Sequence, residues 1–242
     1  MEPISDHSVR IEATLYGVCA GEAAVGSAAG AADLLGVAES VAASCAFDAE
    51  DLHRRGLERP SRCGSAGLLL RGMPFGLLTP LDRPRLRRDA YRCVGLAGAD
   101  EGTAIAAVAA AVLAADLMRF DLATALVRLR QSLLEDAPFA LLNRLRIPDD
   151  GTPPAADQDA GAVFQAALWA LDHAEGIDGV VAAAAGLPAV AIGLAASLAG
   201  ARDGLAGVDA ERCNEVPHAE SAFAIARRLS DCAAVAASSS SA

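Results

Sequence analysis

Lysine is absent from this chain: all 20 basic residues are arginine, and 31 acidic residues bring the formal net charge to −11. A protein that binds nucleic acid needs a basic surface, so this charge argues against a nucleic-acid partner. Without lysine, Schiff-base catalysis is excluded. The sequence also contains neither a P-loop nor the glycine pattern of a dinucleotide-binding fold.

Aromatic residues are scarce, at 4%, although 53% of the 242 residues are hydrophobic. Alanine, leucine and valine must therefore carry most of the burial, which favours close-packed helices over sheets. No stretch shows the alternation expected of a strand. The sequence predicts an all-α protein, with a single domain over residues 1–236 and a disordered tail over 237–242.

The cysteine pattern lacks the close pairs of a metal site. No CxxC pair is present, which argues against zinc, and we expect neither a metal nor another cofactor. Most cysteines lie among apolar residues, so we expect buried, reduced thiols in a cytoplasmic protein. The polar N-terminus does not resemble a signal peptide. The six cysteines are Cys19, Cys45, Cys63, Cys93, Cys213 and Cys232.

One uncharged segment, Gly179 to Gly200, has the length of a transmembrane helix. Its composition argues against insertion, because alanine and glycine dominate it and neither end carries Trp or Tyr. Gly186-Leu187-Pro188 interrupts it. We therefore predict two shorter core helices that meet at this break, and no membrane association.

Helix signals recur along the chain. Asp48 and Asp121 are expected N-caps, the first opening a short helix. A nearly all-apolar stretch predicts a buried central helix over Gly102–Met118, and apolar spacing predicts another over Phe164–Ala174. Pro217 is expected in the first turn of the last helix.

Four motifs, in order, resemble those of the ADP-ribosylglycohydrolase family. The resemblance implies an orthogonal helical bundle with a cleft on one side. In that family two magnesium ions in the cleft position a water that attacks an ADP-ribosyl bond. The four motifs are Gly17 to Ala23, similar to the Gly-x-x-x-Gly-Asp-Ala helix; Ala66 to Gly76, similar to the central Asn-Gly-x-x-Met-Arg-x-x-Pro-x-Gly turn; Ala166 to Leu171, similar to the helix before the metal motif; and Gly200 to Gly204, similar to the closing Gly-Ala-x-x-Gly helix.

The residues that hold magnesium in that family are missing here. Ala28-Ala29-Gly30-Ala31 aligns with the family's first metal motif, Thr-Asp-Asp-Thr, and Leu187-Pro188-Ala189-Val190 aligns with the second, Asp-Thr-Asp-Thr. Asp33 is near the first motif, but its position in a helix turns it to another face. Hard cations demand oxygen ligands, so we expect the fold without the metal-dependent hydrolysis.

Five residues remain as candidates for a site in the cleft. Glu22, at the family's Gly-Asp position, is either a lone cleft carboxylate that acts as general base or binds a ligand amine, or a helix-end residue in solvent. Arg71 either braces loop carbonyls or binds a ligand anion. Ser65, Leu187 and Ala189 are further candidates for the cleft wall, and Ser65 has no His partner that would make it a nucleophile.

The one basic patch consists of five arginines between residues 83 and 92. Such a patch either receives a phosphate or an acidic partner, or is a solvated helix face paired with local acids such as Asp82 and Asp89. The second interpretation is the commoner one.

Three functions fit these features. The first is a metal-free protein that binds a small molecule or a protein partner in the cleft and does not hydrolyse ADP-ribose. The second is a metal-independent enzyme acting on a small, largely apolar metabolite, which binding energy alone would orient. The third is a structural or assembly protein whose alanine-rich helices pack in a homodimer.

Overall fold

The computed structural model describes residues 4–148, 152, 154, 159–209, 213 and 215–239. These residues fold into α-helices with no strand among them, so the all-α prediction is confirmed. The last helix continues to Ser239, past the domain boundary expected at 236. The helices are α1 Ile4–Ala23, α2 Ala29–Ser44, α3 Ala49–Arg54, α4 Gly67–Leu78, α5 Arg83–Leu96, α6 Glu101–Leu117, α7 Leu122–Leu133, α8 Phe139–Arg144, α9 Ala160–His173, α10 Gly176–Ala183, α11 Ala189–Asp203 and α12 Ala219–Ser239.

Aspartate side chains mark several helix starts. Asp48 accepts hydrogen bonds from two backbone N–H groups of α3, and Asp121 accepts one from α7, which confirms both predicted caps. Asp159 caps α9, so this helix begins four residues before the predicted Phe164. The prediction for Pro217 is wrong: α12 begins at Ala219, because His218 adopts a left-handed φ of 66° and interrupts the helix.

Two buried helices, α4 and α6, form the centre of the molecule. Every residue of α4 is buried, and so is every residue of α6 from Thr103 to Leu117, which confirms the predicted central helix. Their backbones touch, because a Cβ at Gly72 would lie 2.6 Å from the Ala107 carbonyl oxygen. Alanine and glycine at this crossing let the two helices approach closely.

Helices α1 and α11 form a second crossing at which the two backbones are in contact. A Cβ at Gly21 would lie 2.8 Å from the Ile192 carbonyl oxygen, and Cβ atoms at Gly17 and Gly200 would clash with the facing backbone. These glycines belong to the first and last of the four family-like motifs. Their role here is packing, and it fixes the C-terminal end of α1 beside the start of α11.

The long apolar segment is broken where the sequence predicts. Helix α10 ends at Ala183 and α11 begins at Ala189, with Gly186 at a left-handed φ of 91° between them. In the part of the chain that the structure describes, no helix is both long enough and apolar enough to cross a bilayer.

The expectation that all six cysteines are reduced is wrong. Cys45, the C-cap of α2, forms a disulfide with Cys232 on α12, across 187 positions of sequence. Their spacing gives no sign of this pairing, because only the packing of α12 against α2 brings the two sulfurs together. A disulfide is unusual in a reducing compartment, so it weighs against the predicted cytoplasmic location.

Candidate functional site

The positions that align with the two metal motifs lie at the N-terminal turns of α2 and α11. Residues 28–31 and 187–190, which we call the motif positions, offer no side-chain oxygen. Among the described residues, no group of three His, Cys, Asp or Glu side chains is placed to hold a metal ion. Magnesium takes oxygen ligands, so the residues present do not fit the family's dinuclear centre.

Glu22 lies between these two helix starts and is fully buried. Its carboxylate accepts hydrogen bonds from the backbone N–H of Gly30 at 2.9 and 3.0 Å and of Ala31 at 3.0 Å. Helix α2 has no side-chain cap from its own N-cap residue, Ala28, so Glu22 supplies the cap from another helix. The alternative that Glu22 is a solvent-exposed residue at a helix end is therefore wrong.

Close packing surrounds the Glu22 carboxylate. A Cβ at Gly30 would clash with Oε1 of Glu22, and a Cβ at Gly193 on α11 would lie 3.1 Å from its Cγ. Burial raises the pKa of Glu22, while the two backbone hydrogen bonds partly oppose that shift. A carboxylate held this way is buried and caps a helix.

Arg71 is 3% exposed and lies at the centre of a buried polar network. Its Nη2 lies 2.8 Å from the Asp33 carboxylate, and its Nη1 donates to the carbonyls of Leu57 at 2.6 Å and Arg59 at 2.8 Å. Ser61 donates a hydrogen bond to the other Asp33 oxygen. This geometry supports the interpretation that Arg71 braces the loop before α4, and it also engages the carboxylate of Asp33 on α2.

The other candidates are placed separately. Ser65 is half-buried in the turn before α4, and Leu187 and Ala189 are half-buried where α11 begins. Glu22 and Arg71 both contact α2. Glu22 caps the first turn of this helix, and Arg71 pairs with Asp33 further along it. None of the five lines the groove at the C-terminal end of α1, and their roles as site residues remain predictions.

The thiols around this region are poor nucleophiles. Burial, together with the nearby Glu22 and Asp33 carboxylates, raises the pKa of Cys63 to about 11. Burial in the core raises the pKa of Cys19 and of Cys93 to about 12. The reactive form of cysteine is the thiolate, so these three groups are protonated and unreactive at neutral pH.

A groove of about 490 Å³ opens at the C-terminal end of α1. We call it the α1 groove: its walls come from residues 16–28, from 178–181 on α10, and from 215–217 ahead of α12. Sequence reasoning missed its polar members, Tyr16, Ser27, Asp178 and Glu215. They lie on three separate segments and form no motif, so only the helix packing brings them to one place.

The arginines of α5 are largely paired within the protein. Arg83 lies 2.8 Å from the buried Asp116, Arg88 lies 2.9 Å from Asp89, and Arg92 stacks over a phenylalanine ring. Asp82 instead caps the helix. These pairs favour the solvated, internally paired face over a phosphate site.

The comparisons with known proteins agree with the architecture. A solved structure described as an ADP-ribosylglycohydrolase-related protein complex matches 95% of this chain and 99% of its own, with a TM-score of 0.75 and 20% sequence identity. No family model matches the sequence. No curated protein matches it at a significant level either. At this identity the likeness establishes the fold, and the resemblance noted from the four motifs is confirmed at that level: the chain has an ADP-ribosylglycohydrolase-like all-α fold.

Proposed function

We propose that this protein uses an ADP-ribosylglycohydrolase-like fold to bind a small ligand, without a dinuclear magnesium centre and without hydrolysing ADP-ribose. The observation that carries the proposal is the Glu22 carboxylate, which is spent on capping α2 at the place where the family's first metal motif aligns. The fold is kept, the family's metal-binding residues are absent, and the Glu22 carboxylate stabilises the start of α2.

The Asp33 carboxylate on α2 supports the same conclusion. Asp33 is paired with Arg71 and also accepts a hydrogen bond from Ser61, so both of its oxygens are engaged. A magnesium ion would have to displace a buried guanidinium from it. Removing one partner from a buried ion pair is costly, which makes recruitment of Asp33 as a ligand unfavourable.

The α1 groove is the place we assign to the ligand. Its volume of about 490 Å³ falls within the range of small-molecule sites, roughly 300 to 1,000 Å³. It begins within one helical turn of Glu22, since Ala23 and Ala24 line it. Ala28, the first of the motif positions, also lines it, so ligand binding takes place at the edge of these positions.

The hydrolytic half of the proposal is tested with a peptide carrying ADP-ribosylated arginine and a second carrying ADP-ribosylated serine. We expect release of free ADP-ribose to equal that of a protein-free blank, both with magnesium and with EDTA. Magnesium-dependent release that scales with protein concentration would overturn the proposal.

The binding half is tested by blocking the groove. A fragment library containing neutral, cationic and anionic members is screened by ligand-observed NMR against the wild type, Ala24→Trp and Ala185→Trp. Both alanines are exposed, but only Ala24 lines the α1 groove. We expect hits that bind the wild type and the Ala185→Trp control and are lost in Ala24→Trp. Hits that survive in Ala24→Trp would place the ligand elsewhere.

A further inference from the structure

A second groove, of about 490 Å³, lies on the side of the molecule formed by α5, α6 and α7. Helix α6 packs against both α5 and α7, so these two helices stand on either side of it. We call this the α5–α7 groove: its walls come from residues 87–92 on α5 and 133–136 at the end of α7, and its floor from residues 101–108 on α6. It shares no lining residue with the α1 groove.

The two walls carry opposite charge. Arg87, Arg88 and Arg92 belong to the α5 wall, and Glu135 and Asp136 belong to the facing wall. Arg87 is bonded across the groove to Asp136, and Arg88 pairs with a carboxylate on its own helix. Among the described residues, Arg92 and Glu135 are the charged members of the two walls without an ion-pair partner, and both are exposed. Each wall therefore keeps one charge that another molecule can pair with.

Large apolar side chains are exposed around the same groove. Tyr91, on the α5 wall, is 46% exposed, and Leu134, the neighbour of Glu135, is 62% exposed. Val127 lies on the same face of α7 as Leu134, seven residues earlier, and is also exposed. Exposed apolar side chains rimmed by charged ones are typical of a surface that another protein covers.

We propose that the α5–α7 groove is the interface of a homodimer, in which a second copy of this chain covers it. In a twofold dimer one surface patch meets itself, so the patch has to be self-complementary. A rotation of 180° about an axis through the groove places the basic α5 wall of one copy on the acidic wall of the other. Arg92 of each copy then pairs with Glu135 of the partner subunit, and Tyr91 and Leu134 are buried between the copies.

A second copy fits this face better than a partner of a single charge. An acidic partner would meet the carboxylates of one wall and a basic partner the arginines of the other, whereas a copy presents both walls in the matching arrangement. The pairing of opposite walls also offsets the repulsion between two chains of net charge −11. The alanine-rich helices α6 and α11 are packed inside one chain, so the contact is made by the helices around them.

The test reverses the two unpaired charges one at a time. Sedimentation equilibrium, from about 1 µM to about 1 mM protein, gives the mass of the wild type, of Arg92→Glu, of Glu135→Arg and of an equimolar mixture of these two variants. Arg227→Glu and Asp231→Arg, alone and mixed, are the controls, because both positions are exposed on α12 and lie outside the groove. Circular dichroism shows that each variant is folded.

We expect the wild type to form a dimer of twice the 24.5 kDa of one chain. Each groove variant alone should raise the dissociation constant of the dimer at least about tenfold, because like charges then face each other. The mixture should recover the dimer, since in a mixed pair each reversed charge meets its opposite. The α12 controls should dimerise as the wild type does.

A second pair of variants tests the apolar part of the interface. Leu134→Ser removes a side chain that is largely exposed in a single chain, so it should leave the fold intact and still raise the dissociation constant of the dimer at least about tenfold. Val235→Ser on α12 is the control, because this valine is 61% exposed and lies outside the groove.

A wild type that stays monomeric over the whole concentration range would overturn the proposal, in favour of a different partner or an uncovered face. A dimer that neither charge reversal weakens, or that Leu134→Ser leaves unchanged, would place the interface elsewhere and overturn it as well. If both groove variants are folded monomers and their mixture does not dimerise, the pairing of opposite walls is refuted.

Discussion

Glu22 and Gly30 depend on each other. Both oxygens of the Glu22 carboxylate lie within 3.0 Å of the Gly30 nitrogen, and they fit only because residue 30 has no Cβ. The cap of α2 thus comes from a neighbouring helix and needs glycine at one position. Gly30 is one of the motif positions at the start of α2, which align with the family's first metal motif, and Glu22 reaches it from α1.

Gly30→Ala tests the dependence. The added Cβ would clash with Oε1 of Glu22 and would lie 2.6 Å from Cδ1 of Leu70, so we expect the free energy of unfolding to fall by about 1–3 kcal/mol. Gly95→Ala on α5 is the control, because nothing beyond its own stretch of helix lies within 4 Å of its added Cβ. Alanine should leave that helix unchanged or stabilise it by up to about 1 kcal/mol. Equal effects at the two positions, measured by urea denaturation, would refute the close fit.

Glu22→Gln tests the charge state of the buried carboxyl. Burial raises the pKa of Glu22 in the folded protein, so the folded state favours the protonated form. The stability this provides is fully present below the ordinary pKa of a glutamate and is lost as pH rises through the raised value. The wild type should therefore lose stability relative to Glu22→Gln as pH rises above about 4, the ordinary pKa of a glutamate. If the stability of the wild type relative to Glu22→Gln stays constant or increases as pH rises, the raised pKa of Glu22 is contradicted.

Arg71→Met leaves Asp33 buried without its cation. Because breaking a buried ion pair from one side leaves an uncompensated charge, we expect a loss of about 3–5 kcal/mol in unfolding free energy. Arg54→Met is the control, since Arg54 forms an exposed pair with Asp51, and we expect no measurable change there. In a thermodynamic cycle, Asp33→Ala combined with Arg71→Met should cost less than the sum of the two single changes. Strict additivity would show that the pair is not coupled.

Reduction of the Cys45–Cys232 disulfide should loosen the end of α12. The bond closes a long loop, so Cys232→Ser should lower the free energy of unfolding by about 2–4 kcal/mol under oxidising conditions. Cys213→Ser, at a free thiol, is the control. A reducing agent should bring the wild type down to the stability of Cys232→Ser and leave that variant unchanged. Identical melting temperatures with and without reductant would show that the bond does not form in solution.

The fold could be predicted largely because its signals are local. Asp48 and Asp121 cap helices from within their own turns, and Pro188 breaks the apolar run by its own ring. The motif glycines Gly17 and Gly21 could be recognised by their spacing, although their role in packing against α11 appears only in the structure. Each of these features is decided within a few residues of sequence.

The site could not be predicted to the same extent because its contacts are not local. Nothing near Glu22 in the sequence shows that the N–H of Gly30 will point at its carboxylate. Helical geometry predicts that Asp33 points away from the face that carries the first metal motif. Its pairing with Arg71 could not be predicted, because Arg71 lies on another helix. The α1 groove likewise forms only when α1, α10 and the segment ahead of α12 come together.

Direct titration tests whether this fold binds magnesium. Protein stripped with EDTA and dialysed is titrated with magnesium chloride in an isothermal titration calorimeter, with manganese as a second cation. We expect only the heat of dilution for both ions, because the motif positions offer no side-chain oxygen and the carboxylates of Glu22 and Asp33 are already hydrogen-bonded within the protein. A saturable isotherm that Glu22→Gln abolishes would contradict it.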